Sequence, residues 1–319
     1  MLRSFFIYLS KAAWARQIVT GWPFVRRMAE RFIAGEKLED ALKVILMLNG
    51  KGINASLDHL GEHTTNANEA LQATQDILRA LDEIERSGVR ANISVKLTQI
   101  GLAVDAALCA ENLRLILEHA WNLGNFIRID MEDSPVTQVT LDTLRQMRRQ
   151  GYQNVGIVIQ AYLYRSEADI EELIKDCTKV RLCKGAYKEP TKVAYPLKRD
   201  VDAAYDRLMD LLFRGTLEHG CAVSSEDGKV PPVASIATHD EKRILLAKDL
   251  AKKLDLPKNA LEFQMLYGIR RDLQEQLVAE GYSVRIYVPY GTQWYPYFMR
   301  RLAERPANVW FILSNFFRK

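Results

Sequence analysis

Cysteine, linker-like stretches, long apolar runs and any surplus of one charge are all scarce in this chain of 319 residues, and each scarcity excludes something. The four cysteines, Cys109, Cys177, Cys183 and Cys221, have neither C-x-x-C spacing nor the density of a disulfide scaffold, which predicts reduced thiols in a cytoplasmic protein. His59, His63, His119 and His219 show no metal-ligand spacing, so no metal site is expected. The formal charge of +4 is small and its basic residues are interspersed with acids, which argues against a nucleic-acid partner. No stretch rich in Pro, Gly or Ser divides the chain, and no G-x-G-x-x-G follows a strand-like run, so a Rossmann mode of dinucleotide binding has no support.

What is present is an ordinary globular composition, 48% hydrophobic and 26% charged, enough for one large barrel or two modest domains. The ends stand apart. The first 29 residues are basic and amphipathic, and their apolar run Phe5 to Leu9 is too short to span a bilayer. The last residues, from Val309 to Lys319, are apolar with a basic tip. Both read as packed or surface helices, with peripheral contact to the inner face of a membrane left open. From Ile53 onward, short apolar runs starting near Ile53, Asn92, Phe126, Val155, Val180, Val233, Leu261 and Val284 alternate with helix-length amphipathic stretches such as Asp105 to Leu123 and Asp200 to His219. That alternation favours a (βα)8 TIM barrel over a doubly wound sheet. The expected organisation is an N-terminal helical extension over 1–52, a barrel over 53–305 and an amphipathic tail over 306–319. The segment Ser224 to Lys229 reads as a surface excursion.

Active sites of TIM barrels lie at the C-terminal ends of the strands, so polar residues that close apolar runs are the candidates. They are Glu62, Lys96, Asp130, Gln160, Arg181 with Lys184, Thr238 with His239, Gln264 and Tyr287. After the eighth run, Tyr297, Arg300, Arg301 and Glu304 fall at i, i+3, i+4 and i+7 and share one face of a helix. Adjacent guanidiniums can hold a carboxylate or phosphate through planar forks. Alone, such a face is more often a solvated Arg–Glu pair; recurrence of charge at the other strand ends favours an anion clamp.

The segments Val180 to Tyr187, Glu262 to Gly268, Arg285 to Pro289 and Arg300 to Glu304, with Ile93 to Thr98 and Asp130 to Ser134, resemble proline dehydrogenase in order and spacing from about Asp58 to Arg305. The resemblance is to the compact monofunctional enzymes. It implies FAD as cofactor, oxidation of L-proline at C5 to 1-pyrroline-5-carboxylate, and a quinone as electron acceptor. It further implies that Arg300, Arg301 and Lys96 hold the substrate carboxylate, that Tyr287, Tyr297, Tyr187, Ala186 and Leu266 enclose the ring, and that Tyr287 crowds a 4-hydroxyl. Asp130, ordering Lys96 or Arg301, and Arg181, beside flavin N5, take the catalytic roles. Gln160, Lys184, Gly185, Ala186, Thr238, His239, Gln264, Val158 and the backbone of Met131 are the further flavin contacts, and Glu62 and Glu304 form a gate or outer support. Cys183 stands where the family often has an aliphatic residue and reads as a small core hydrophobe.

Two other classes compete. A Schiff-base aldolase would use Lys96 or Lys184 as nucleophile. A membrane-surface binding module would use the amphipathic ends.

Overall fold

In the computed structural model, which describes residues 28–61 and 64–304, the strands β1 (Asn54–His59), β2 (Ala91–Val95), β3 (Ile127–Ile129), β4 (Val155–Gln160), β5 (Lys179–Cys183), β6 (Ala234–Ala237), β7 (Leu261–Leu266) and β8 (Ser283–Tyr290) pair in parallel and in order into a closed barrel. The expected TIM barrel is what the chain builds, with each strand starting at or beside the residue where its apolar run begins.

Side chains alternate along each strand, and the two sets differ in kind. Leu57, Ile93, Ile129, Ile157, Leu182 and Phe263 face the helices and belong to one continuous apolar core. The lumen receives the polar set: Ser56, Asn92, Ser94, Arg181 and Gln264 hydrogen-bond to one another across the barrel.

The helices are α1 (Leu38–Gly50), α2 (Ala67–Ser87), α3 (Ala106–Asn122), α4 (Ser134–Arg149), α5 (Ser166–Lys175), α6 (Lys198–Glu218), α7 (Glu241–Lys253), α8 (Arg271–Ala279) and α9 (Trp294–Glu304). Local chemistry fixes several starts. Asn66 caps α2 by accepting from the Glu69 amide at 3.0 Å, Asp105 caps α3 by accepting from the Leu108 amide at 2.7 Å, and a proline opens α4.

The helix after β8 does not serve as the barrel's eighth outer helix. Instead α1 packs against β1 and β8, the seam where the barrel closes, and contributes Leu38, Ala41 and Ile45 to the main core. Helix α9 packs its apolar face, Trp294, Phe298 and Leu302, into a separate cluster with Ala29, Phe32, Ile33, Leu60 and Ile269. Its other face is thereby turned to the barrel mouth.

The floor of the barrel is closed by charge. Arg285 and Glu262, both within 1% of full burial, pair at 2.8 Å. The other Arg285 nitrogens donate to the carbonyls of Ala55 at 2.7 Å and Gly228 at 2.6 Å. This corrects the reading of Ser224 to Lys229 as a surface excursion: Glu226 and Asp227 are exposed, but Gly228 is buried and the Lys229 carbonyl accepts from Asn92 at 3.0 Å. Gly228 has φ of +70°, and a Cβ there would lie 2.3 Å from Asn54 Oδ1, so a larger residue would be strained and would have to displace the Asn54 side chain.

A second correction concerns the thiols. Cys177 and Cys221 form a disulfide across 44 residues, on turns that lead into β5 and β6; Cys109 and Cys183 are not disulfide-bonded. Spacing in sequence could not show it, because the parallel neighbours β5 and β6 bring together turns a whole βα unit apart. No helix among the described residues is long and apolar enough to cross a membrane. The terminal amphipathic segments expected within residues 1–27 and 305–319 lie outside the described residues.

Candidate active site

At the C-terminal ends of the strands lies a cavity of about 650 Å³, and nearly every residue singled out from the sequence lines it. Strands β2 to β4 and the turns after them contribute Lys96, Asp130, Met131, Val158 and Gln160. Strand β5 and its following turn contribute Arg181, Lys184, Gly185, Ala186 and Tyr187. Strands β6 to β8 add Thr238, His239, Gln264, Leu266 and Tyr287, and α9 closes the mouth with Tyr297, Arg300 and Arg301. The shared helix face thus stands over the cavity, with the Arg301 guanidinium 5.1 Å from the Tyr297 ring centre. Glu62 and the side chain of Glu304 lie outside the described residues.

Arg181 is the most constrained cation here. Its Nε donates to Gln264 Oε1, its Nη1 to Ser94 Oγ at 3.1 Å and Asp130 Oδ1 at 3.0 Å, and its Nη2 to Ser56 Oγ at 3.1 Å. Gln264 is oriented in turn, because its amide donates to Glu262 at 2.6 Å. The floor pair and the cavity are therefore one hydrogen-bonded chain.

Asp130 was expected to order Lys96 or Arg301. It does form an ion pair with Lys96 at 3.7 Å, but its closer partners are Arg181 at 3.0 Å and the Tyr287 hydroxyl, from which it accepts at 2.7 Å. Burial, reinforced by the Asp130 charge, pushes the Tyr287 phenol well above its ordinary value and keeps it a donor. Lys96 pairs at 2.8 Å with Asp58, a residue the sequence reading passed over. Its signal was available: Asp58 sits on the lumen side of β1, two positions beyond Ser56, by the same alternation that marks Lys96 on β2.

Lys184 lines the cavity but its ammonium lies between Asp202 at 2.6 Å and Asp240 at 2.7 Å, both missed in the sequence. Burial opposes ionisation of these two acids, yet the bonds from Lys184, together with Lys198 at Asp202 and Arg243 at Asp240, outweigh it and hold both below the usual carboxylate range. Cys183 packs half-buried against the main core, as expected of a small hydrophobe, and, two positions after Arg181 on β5, it also lines the cavity. His239 Nε2 accepts from the Leu266 amide at 2.9 Å, which assigns the ring proton to Nδ1. His59 stacks on Tyr290 at 5.0 Å and His119 pairs with Asp82 at 2.7 Å, both structural roles. No group of three or more potential metal ligands occurs among the described residues.

The environment of the two lysines disfavours the aldolase reading. A Schiff-base nucleophile needs a desolvated amine without a carboxylate partner, and Lys96 and Lys184 each have at least one within 2.8 Å.

A family model described as proline dehydrogenase matches residues 41–313. The chain belongs to the proline dehydrogenase family. It is 39% identical over 317 residues to proline dehydrogenase 2 of Bacillus subtilis (strain 168), with 99% of each chain covered. With the proline dehydrogenase of Deinococcus radiodurans it shares 40% identity over 292 residues, 90% of this chain and 89% of the other. Among solved structures, proline utilization A from Bdellovibrio bacteriovorus, inactivated by N-propargylglycine, superposes with a TM-score of 0.79 at 27% identity over 88% of this chain, which spans only 33% of that longer protein. Family membership makes the protein an oxidoreductase of proline catabolism, and the cavity is where that chemistry has to be placed.

Proposed function

We propose that the protein is an FAD-dependent proline dehydrogenase that oxidises L-proline at C5 to 1-pyrroline-5-carboxylate and passes the electrons to a quinone. The single observation that carries this reading is the opposition of two cationic elements across one cavity: the fixed guanidinium of Arg181 at its base and the Arg300–Arg301 pair on α9 at its mouth. A substrate carboxylate suits the second, and a ring that becomes anionic on reduction suits the first.

The residues present suit a flavin. Gln160 Oε1 is buried and accepts no hydrogen bond from any described residue, which leaves an acceptor for a ring N–H. Gly185, which lines the cavity, has φ of +105°, and a Cβ there would meet the Tyr162 ring at 2.5 Å, so the path of the turn after β5 depends on glycine. Arg181, Gln160, Gln264, Thr238, His239, Val158 and the Met131 backbone would hold the isoalloxazine, with Gly185, Ala186 and Lys184 towards the phosphates. Bound FAD supplies the hydride acceptor at N5.

Arg300, Arg301 and Lys96 bind the carboxylate and orient C5. Tyr287, Tyr297, Tyr187, Ala186 and Leu266 wall the ring and exclude water, and Tyr287, fixed by Asp130, limits room for a 4-hydroxyl. Asp130 keeps Arg181 and Tyr287 in place. From the neutral amine, the C5–H bond breaks with its electron pair, to be accepted by the bound flavin, the nitrogen lone pair forms the C=N bond, and the N–H proton is released to solvent.

Anaerobic titration of the purified protein with proline tests this directly: a flavin spectrum that bleaches is expected, and a colourless protein or an unresponsive flavin overturns the reading. Arg300→Ala and Arg301→Ala should each raise KM for proline by about 10- to 100-fold, the cost of one charge-assisted bidentate contact, with flavin retained. Unchanged KM in both would remove the clamp.

A further inference from the structure

Asp58 is the buried ionisable group of the cavity that the family resemblance leaves without a task. Its side chain is 1% exposed, yet it borders the cavity. Oδ1 accepts from Lys96 Nζ at 2.8 Å, and Oδ2 accepts no hydrogen bond from any described residue. Lys96 also reaches the Tyr287 hydroxyl at 3.3 Å and lies 3.7 Å from Asp130. The ammonium from β2 is thus surrounded by oxygens from β1, β3 and β8, and Asp58 is the nearest of them. Asp130 is already engaged by Arg181 and Tyr287, and Tyr287 donates its proton to Asp130. Neither can hold Lys96 as tightly without releasing something else.

The charges also have to balance. Lys96, Arg181, Lys184, Lys198, Arg300 and Arg301 line the cavity, against Asp58, Asp130 and Asp240. Desolvation raises the Asp58 carboxyl above its ordinary range while the Lys96 charge pulls it back, so ionisation of Asp58 depends on Lys96.

We propose that Asp58 is a positioning residue for substrate binding: it holds the Lys96 ammonium at the β1 side of the mouth, where it can share the carboxylate of proline with the α9 arginines, and keeps it from collapsing onto Asp130 and Tyr287. The proposal rests on the reading of Arg300, Arg301 and Lys96 as the carboxylate clamp. Asp58 acts through Lys96, so its effect should fall on binding rather than on hydride transfer.

The experiment is steady-state and flavin-reduction kinetics on the holoenzyme carrying Asp58→Asn, Lys96→Met, or both. Asp58→Asn should raise KM for proline and Kd for oxolane-2-carboxylate, a ring-oxygen analogue, by the same factor of about 10 to 100, as for loss of a buried charge-assisted bond. Flavin content and the reduction rate at saturating proline should stay within about threefold, on the view that binding common to ground and transition states changes KM alone. In the Lys96→Met background Asp58→Asn should add nothing, and this double variant has no unpaired charge at the pair, so it remains informative if the single variant does not fold. An unchanged KM, a loss confined to the reduction rate, or a further tenfold loss in the double variant overturns the proposal. A wild-type protein without proline-reducible flavin would instead overturn the parent reading, before any variant is compared.

Discussion

Replacing Glu262 by Gln removes one charge and almost no volume from the barrel floor, and the cost can be worked from its partners. Glu262 Oε1 accepts from Arg285 Nε at 2.8 Å and from the Gln264 amide at 2.6 Å; Oε2 accepts from Arg285 Nη2 and Ser283 Oγ, both at 3.1 Å. An amide in that place turns one acceptor into a donor facing donors. The gross attraction between unit charges at 2.8 Å is about 6 kcal/mol at an effective dielectric constant near 20, most of it cancelled by desolvation of the pair. Removing only one partner leaves Arg285 buried without its counter-ion, which costs about 3–5 kcal/mol. That is about a fifth or more of the ~5–15 kcal/mol by which domains are stable. The assay is urea unfolding followed by far-UV circular dichroism, with a lower midpoint at unchanged slope expected for Glu262→Gln. Glu262→Gln combined with Arg285→Met should recover part of the loss, because no buried charge is then left without its counter-ion, although the Ala55 and Gly228 carbonyls lose their donor. A single variant within about 1 kcal/mol of wild type, or a double variant less stable than the single, would refute the reasoning.

Two further outcomes follow from other parts of the molecule. The Cys177–Cys221 bridge closes 44 residues, worth about 4 kcal/mol in the chain-entropy account; reductant should lower the melting midpoint while leaving the proline oxidation rate of folded enzyme unchanged, since both turns precede β5 and β6, away from the cavity, and titration of four free thiols in enzyme purified without reductant would contradict it. Lys179 is lowered from its ordinary 10.5 to about 8 by burial, with Arg128 and Arg148 adding to the effect. Between those pH values the unfolded chain binds the extra proton, so stability should rise with pH from about 8 to 10.5, and Lys179→Met should flatten that slope; an unchanged slope would show that this lysine is not the cause.

Much of the molecule was legible in the chain because a TIM barrel repeats one simple rule. Alternation with helices marked the strands, and polar residues at their ends marked Lys96, Asp130, Gln160, Arg181 and Tyr287, all now lining one cavity. What escaped was chemistry between elements. Asp58 was overshadowed by Glu62 four residues on, since a charge after a strand and one inside its last turn look alike until lumen and exterior are assigned. Asp202 and Asp240 belong to or precede helices and meet Lys184 only because α6 and α7 begin beside it. The lumen's polar layer was hidden because Arg128, Glu262 and Arg285 each interrupt an apolar run singly, and only closure makes them neighbours. Periodicity of α9 gave its face but not the packing partner that turns it over the mouth; that depends on Ala29, Phe32 and Ile33, far away in sequence.

The seam between β1 and β8 also dictates a schedule. Arg285 donates to the carbonyl of Ala55 across 230 residues, so the strand made first waits for the strand made last. On a ribosome adding about 5–20 residues per second, β1 and α1 spend roughly 10–50 s without their partner. During that interval the emerging chain presents an unpaired parallel edge and the apolar side of α1, the surfaces a nascent-chain chaperone binds. Variants that weaken the seam should therefore lose yield during synthesis before they lose stability in the purified protein.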